Sequence, residues 1–495
     1  MRLAVVLFAF LMGEGCDPPE LPPRGEALFI VDTDVAPSSL VSQLRVDVYR
    51  EDGTWIDSRS FTRMPDDWPA SFEVYNPDMA GTRVAVVRLR VYPEGVERDY
   101  HGERYMPPPS PTPPAELVPE GDPTPNEGPR LIVGGKDATP RTEPSPFAAI
   151  DRLVRVRLSY GTRGAARVTL HGECFGRMAD VAHAQSCISA STAWTGEIDQ
   201  ALDPDMHIGP KGPTPFGARL ACKSDLRAAR PGLFEEEVCV PGGAFLFGDI
   251  DGFGDGIKYA TVPERIARLS PFRMDRWEVT VGRFRAAVEA GFSADPPQVN
   301  DGPLLAGLQT ECTYTSARAM REDFPLNCVS MATARAFCEW SGGSLPSEAQ
   351  WKWAAQAAER QDKTRYPWGD DPPDCAQVVY GRDPLAGDSH VCAKLGTSPQ
   401  SETTSMGDTA IGTGAVNMAG NVAEMLLDAF YSFGARCWAF PQIDDPECID
   451  DTATFALAAG AAWDDAIETT LSRSRRGHTS TAVSTEIGFR CVRGM

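Results

Sequence analysis

The sequence predicts a multidomain protein, with two small all-β, sandwich-like modules followed by a larger α+β domain rich in loops. Three observations carry this expectation. A chain of 495 residues exceeds one ordinary core, so two to four domains are expected. Apolar and polar residues alternate with period two on both sides of a Pro-rich stretch. From Cys222 onward the texture changes to turns, aromatic residues and short capped helices.

In the first module, residues 27–105, Leu44, Val46 and Val48 alternate with Arg45, Asp47 and Tyr49, and Val87, Leu89 and Val91 with Arg88, Arg90 and Tyr92. Such patterning makes half-buried strands of an antiparallel sheet. With turns at Glu51-Asp52-Gly53 and Pro65-Asp66 between the runs, a small sandwich follows. Residues 106–130 hold Pro107-Pro108-Pro109, Pro111, Pro113-Pro114, Pro119, Pro123 and Pro125, which suits an extended, semi-rigid linker and a domain boundary. In the second module, 131–220, Val154, Val156 and Leu158 alternate with Arg155 and Arg157, and Val168 and Leu170 lead into Cys174.

The third domain is expected over 222–495. Thr280 is placed to cap a helix that runs through Phe284 and Val288 and stops at Gly291. Ser330 caps a second, carrying Phe337, Cys338 and Trp340 and stopping at Gly342-Gly343. Ser347 with Gln350 makes a capping box for a third, Glu348 to Arg360. Residues 362–495 have few periodic runs for their length, and long irregular connections require staples.

Composition narrows the function. The 69 acidic against 47 basic side chains give a formal charge of −22, which repels phosphate backbones and argues against nucleic acid as a partner. Residues 1–16 read as a signal peptide: Arg2, an apolar run from Leu3 to Met12 too short to span a bilayer, then Gly13-Glu14-Gly15-Cys16. A small residue before Cys16 and Asp17-Pro18-Pro19 after it resemble a bacterial lipoprotein signal, with Cys16 as the lipid attachment site. The departure from the usual pattern is Gly13 where Leu is favoured, with Glu14 following. The chain is therefore expected to be exported and anchored in the bacterial cell envelope through lipid on Cys16, the alternative being secretion.

Setting Cys16 aside leaves twelve cysteines, an even number that suits an oxidising compartment. Neighbours form short loops (Cys174 with Cys187, Cys222 with Cys239, Cys312 with Cys328, Cys375 with Cys392, Cys437 with Cys448), although spacing alone does not determine connectivity. The chain has no C-x-x-C pair, and its six histidines are scattered, which disfavours a thiolate or imidazole metal site.

Gly420-Asn421-Val422-Ala423-Glu424 admits two readings. It is an Asn-stabilised turn whose Glu pairs with an Arg, or a set of oxygens turned toward a hard cation such as Ca²⁺.

Seven blocks in order resemble the formylglycine-generating enzyme family, the sulfatase-modifying factor domain. They are Val240-Pro241-Gly242-Gly243-Ala244-Phe245 with Phe247-Gly248; Phe272 to Thr280; Cys328-Val329-Ser330 leading to Ala336-Phe337-Cys338-Glu339-Trp340; Ser344 to Trp351; Tyr366-Pro367-Trp368-Gly369-Asp370; Asn417 to Met425; and Ile487-Gly488-Phe489-Arg490-Cys491. The resemblance implies a compact mixed domain poor in regular secondary structure, with structural Ca²⁺ on Asn421, Glu424 and the carbonyl of Val422. Trp is usual in the family where Ala423 and Met425 stand here. It also implies a disulfide between Cys338 and Cys491.

Family members with oxidase activity carry two reactive cysteines spaced C-x4-C after a Gly-Gly-Ser-Trp/Tyr segment, a thiolate pair suited to copper(I). Here that segment reads Gly460-Ala461-Ala462-Trp463, and the two positions fall at Asp465 and Thr470. No cysteine lies between Cys448 and Cys491, so copper and the oxidase chemistry are not expected.

Three other features are weaker. Asp249-Ile250-Asp251-Gly252-Phe253-Gly254-Asp255-Gly256 suggests a calcium loop, but Ala260 stands where an EF-hand needs Glu, which favours a solvated acidic turn. Arg473, Arg475 and Arg476 form a solvated cluster or line a groove, and Trp351, Trp353 and Trp368 read as core residues rather than a ligand platform. The expected function is binding or scaffolding of an envelope or extracellular protein or glycan by a domain with a degenerate active site. The alternative is sulfatase modification, or a divergent protein-modifying activity in the same cleft.

Overall fold

A computed structural model describes the chain from residue 23 to 495, apart from 37, 63–67, 95–96, 100–131, 134–135, 138–141, 145, 182, 190–197, 205–215, 223–235, 250–260, 262–263, 303–311, 319, 359–362, 384–390, 393, 395–397, 400–407, 434 and 439–441. Cys16 and the Pro-rich linker expected at 106–130 therefore lie outside the described residues.

The N-terminal half is built around two main sheets, beside two short two-stranded ladders, Glu97–Asp99 with Thr142–Pro144 and Ile132–Val133 with Lys136–Asp137. β1 (Glu26–Thr33) pairs in parallel with β7 (Arg163–Leu170) and antiparallel with β4 (Ala70–Tyr75). In the second sheet β5 (Thr82–Tyr92) lies between β2 (Gln43–Arg50) and β6 (Ile150–Ser159), and β3 (Trp55–Thr62) forms the edge beyond β2. Each sheet thus takes strands from both sides of the Pro-rich stretch, so the separate modules expected at 27–105 and 131–220 are corrected to one interleaved unit. Alternation within a strand specifies its two faces but not its partner. Pairing is decided by the long β5–β6 ladder, from Val91↔Ile150 to Thr82↔Ser159, which brings Val87, Leu89 and Val91 together with Val154, Val156 and Leu158 in one core.

The outer face of the second sheet also departs from expectation. Arg45, Asp47, Tyr49, Arg88, Arg90 and Asp151 are buried there, because Ala179 and Ile198 pack with Tyr49, Val86 and Leu153 over that face. The charges are paired, as burial requires. Arg88 donates to Asp47 Oδ2 at 2.7 and 2.9 Å, and Arg90 donates to Asp151 Oδ2 at 2.6 Å. Burial alone would raise the Asp47 carboxyl, but Arg88 and Arg45 hold it well below the usual carboxylate range.

The first core does not stop at the family-like region. Phe216, Ala244 and Ile266 belong to it. The Arg268 guanidinium sits 4.4 Å above the Phe216 ring, and that of Arg265 lies 4.7 Å above Phe147.

Beyond residue 236, β8 (Glu237–Val240), β11 (Phe272–Asp275) and β16 (Val492–Gly494) make one sheet, and β9 (Gly243–Phe247) pairs with β10 (Arg265–Leu269). A third sheet has the order β14 (Arg475–Thr479), β13 (Phe455–Ala459), β12 (Ala423–Ala429), β15 (Ile487–Gly488). Among the described residues strands predominate, with three α-helices.

The helix starts are those the cap residues specify. Thr280 accepts from the Arg283 amide ahead of α1 (Val281–Glu289), Ser330 from Thr333 ahead of α2 (Met331–Trp340), and Ser347 forms a capping box with Gln350 for α3 (Glu348–Gln356). α3 ends at Gln356, short of the expected Arg360, because Ala357 leaves helical geometry at φ −135° and packs with Ala358 in the core.

Six disulfides staple the irregular segments: Cys174–Cys187, Cys222–Cys239, Cys312–Cys328, Cys338–Cys491, Cys375–Cys392 and Cys437–Cys448. No helix among the described residues is long and apolar enough to cross a membrane.

Candidate functional site

Two segments carry the residues singled out by the sequence, the turn at 417–424 and the tail at 460–476. They touch. The Trp463 amide donates to the Asn421 carbonyl at 2.8 Å, and Gly460 lies at φ +77° where a Cβ would come 2.9 Å from the Met418 carbonyl oxygen. Gly420 is required for the same reason on the other side, since a Cβ there would meet the Val379 carbonyl oxygen at 2.6 Å.

Asn417 and Asn421 both adopt positive φ, 61° and 73°, which Asn tolerates better than most side chains. Their side-chain amides converge on Glu278, each nitrogen 3.0 Å from a different carboxylate oxygen. Glu278 is buried, and burial pushes its carboxyl up to about 8 while Arg490 opposes the rise. Asp408 accepts from the Ala419 amide through Oδ2, its Oδ1 is buried without a partner, and burial raises it to about 7.

Glu424 is committed elsewhere. Arg490 donates to both of its carboxylate oxygens at 2.6 Å, and the Trp351 indole adds a third hydrogen bond at 2.9 Å. The rest of the Arg490 guanidinium reaches the carbonyls of Asp275, Arg276 and Val416. A divalent cation would have to displace or oppose that guanidinium, so Glu424 does not fit the expected Ca²⁺ ligand set with Asn421 and Val422. Val422 is buried, with its side chain beside Gly488. The first reading of the stretch, a turn whose Glu pairs with an Arg, describes the observed geometry.

In the tail, Asp465 and Thr470 stand at the expected cysteine positions. Asp465 caps its own turn, Oδ2 accepting from the Ala462 amide at 2.7 Å, and its other oxygen is ion-paired with Arg476. Arg476 also donates to Glu486 at 2.6 Å. Thr470 is fully buried. Beside them Asp464 carries a buried Oδ1 with no partner. Burial, with the charges of Glu486 and Asp465, pushes that carboxyl up to about 8.

The described cysteines all lie in disulfides, so none offers a thiolate to this segment. Among the described residues no three His, Cys, Asp or Glu side chains are grouped as a metal site. Arg475 is buried in a bidentate pair with Glu348, at 2.7 and 3.0 Å, Arg476 is paired with Asp465 and Glu486, and Arg473 lies 4.0 Å from Asp249, so each arginine faces a different carboxylate. Trp351 and Trp353 are buried in the core, and Trp368 stacks on Tyr366 at 5.1 Å. The acidic loop after Asp249 lies outside the described residues. Neither Glu278 nor Asp408 is singled out by the sequence; Glu278 lies within the family-like block Phe272 to Thr280, and Asp408, between Gly407 and Thr409, carries no local signal.

The family model described as the sulfatase-modifying factor enzyme 1-like domain matches residues 223–495, more than half of the chain. This protein belongs to that family. Among relatives of the sulfatase-modifying factor region, a formylglycine-generating enzyme of Streptomyces coelicolor is 28% identical over 302 residues, covering 54% of this chain and 91% of that one. The hercynine oxygenase of Mycolicibacterium smegmatis is 28% identical over 217 residues, covering 40% and 47%. The inactive C-alpha-formylglycine-generating enzyme 2 of Bos taurus is 28% identical over 178 residues, covering 35% and 51%. The family therefore includes oxidising members and one named as inactive, and the residues of each chain decide between them.

Proposed function

We propose that residues 223–495 are a binding or scaffolding domain of an exported envelope protein and do not oxidise thiols. One observation carries this reading: Asp465, at the first expected cysteine position, is ion-paired with Arg476 and caps its own turn, while the second position is a buried Thr470. Carboxylate and hydroxyl groups do not replace two thiolates for copper(I). The partner class is an envelope or extracellular protein or glycan. Nucleic acid is disfavoured by the net charge of −22. The test is to incubate the purified protein with copper(I), O₂ and a cysteine-containing sulfatase peptide and weigh the peptide. An unchanged mass is expected, and conversion of the thiol to aldehyde overturns the reading.

The anchor belongs to the same proposal. Cys16 carries lipid and holds the protein at the envelope, and mass spectrometry of the mature N-terminus tests it. Structural Ca²⁺, implied by the family resemblance on Asn421, Glu424 and the carbonyl of Val422, would have to compete with Arg490 for Glu424. It would supply rigidity to the turn.

A divergent protein-modifying activity at the same place draws on Asp464. A buried carboxyl kept protonated near neutral pH is the arrangement of a general acid. Loss of any detected activity in Asp464→Asn would favour it.

A further inference from the structure

The two N-terminal sheets leave a cleft of about 540 Å³ on the side where β3 and β4 lie. Its walls include Val46, Val48, Phe61, Phe72 and Val74. Both flanking strands are sheet edges: among the described residues β3 pairs only with β2, and β4 only with β1.

The register explains why the cleft opens. On β3 the residues opposite the core positions Leu44, Val46 and Val48 are Phe61, Arg59 and Asp57. The inner face of that strand therefore places a mutually paired Arg59 and Asp57, 3.1 Å apart and exposed, where apolar side chains would otherwise close the gap. Inward charges of this kind also block strand addition to an edge. β4 has no such guard. Its inner residues Ala70, Phe72 and Val74 lie opposite Val31, Phe29 and Ala27, with Phe72 stacked on Phe29 at 5.0 Å. Its outer residues Ser71, Glu73 and Tyr75 are exposed.

We propose that β4 accepts an extended peptide segment of a partner protein, apolar at alternate positions and basic between them. The backbone of the added strand would satisfy the free edge of β4, and its inward side chains would fill the cleft over Val46, Phe72 and Val74. Its outward residues would pass beside Glu73. Basic residues fit there because Arg83, the other cation at the rim, is paired with Asp78 at 3.0 Å, and because the chain as a whole carries −22. A strand is favoured over a small apolar ligand because it satisfies the main-chain groups of the edge as well as the apolar walls. This site lies outside the family-matched region, so it stands or falls independently of the reading of residues 223–495.

The probe is a short labelled peptide alternating valine with lysine, added to the full chain and followed by fluorescence anisotropy. Controls are the same peptide with glutamate for lysine and one with proline at alternate positions. Binding of the lysine peptide alone is expected, with new amide-exchange protection in residues 70–75. Glu73→Lys should weaken it about threefold, the size of one cross-strand charge pair, and improve binding of the glutamate peptide. The proposal is overturned if the lysine peptide does not bind or if the proline peptide binds equally. It is also overturned if protection falls elsewhere, or if a neutral apolar dye occupies the cleft and the peptide does not compete.

Discussion

Arg490 holds Glu424 through two parallel hydrogen bonds of 2.6 Å, with both side chains essentially inaccessible to solvent. The pair joins the last strand region to β12 across 66 residues of chain, next to the Cys338–Cys491 bridge.

Breaking this pair from one side leaves a buried charge. Glu424→Gln or Arg490→Met should each cost about 3–5 kcal/mol in denaturant unfolding. The double variant should cost less than the sum of the two.

The disulfides should differ in value with the loop they close. Cys338–Cys491 spans 153 residues and Cys437–Cys448 spans 11. Replacing the first pair by serine should lower stability by roughly 4–5 kcal/mol and the second by roughly 2–3 kcal/mol, compared by the same unfolding assay.

Lys352 supplies a pH signature. Its ammonium is buried, donates to the Ser472 and Ser474 carbonyls, and burial pushes it down to about 7 from 10.5. Between those values the unfolded chain binds a proton that the folded chain does not, so this group makes stability rise with pH from about 7 to about 10.5. Stability curves of the wild type and Lys352→Met should diverge over that window, the wild type gaining relative to the variant as pH climbs.

Calcium on Asn421, Val422 and Glu424 would have to displace Arg490 from Glu424. Adding Ca²⁺ after chelation should therefore leave the melting temperature of the wild type unchanged. An ion bound at a hundredfold excess over its Kd would instead add about 2.7 kcal/mol. Equal melting curves for the wild type with and without the ion would remove calcium from this site.

Local chemistry was legible without coordinates. Thr280, Ser330 and Ser347 announce helix starts because an N-cap is a contact over three residues. The absence of cysteine between Cys448 and Cys491 bears on the oxidase question with no geometry at all. The end of α3 was not legible, since packing of Ala357 and Ala358 overrode a helical composition.

By itself, the sequence determined the family-like blocks, the alternation of the strands, the caps and the lack of cysteine between Cys448 and Cys491, all of which depend on residue type and short spacing. Only the tertiary structure decided that strands from both sides of the Pro-rich stretch share two sheets, that Glu424 belongs to Arg490, and that Asp465 belongs to Arg476. Those are choices among partners 11 to 137 residues apart. They are settled by which packing brings Arg490 onto Glu424 and Arg476 onto Asp465, and residue type alone carries no record of that.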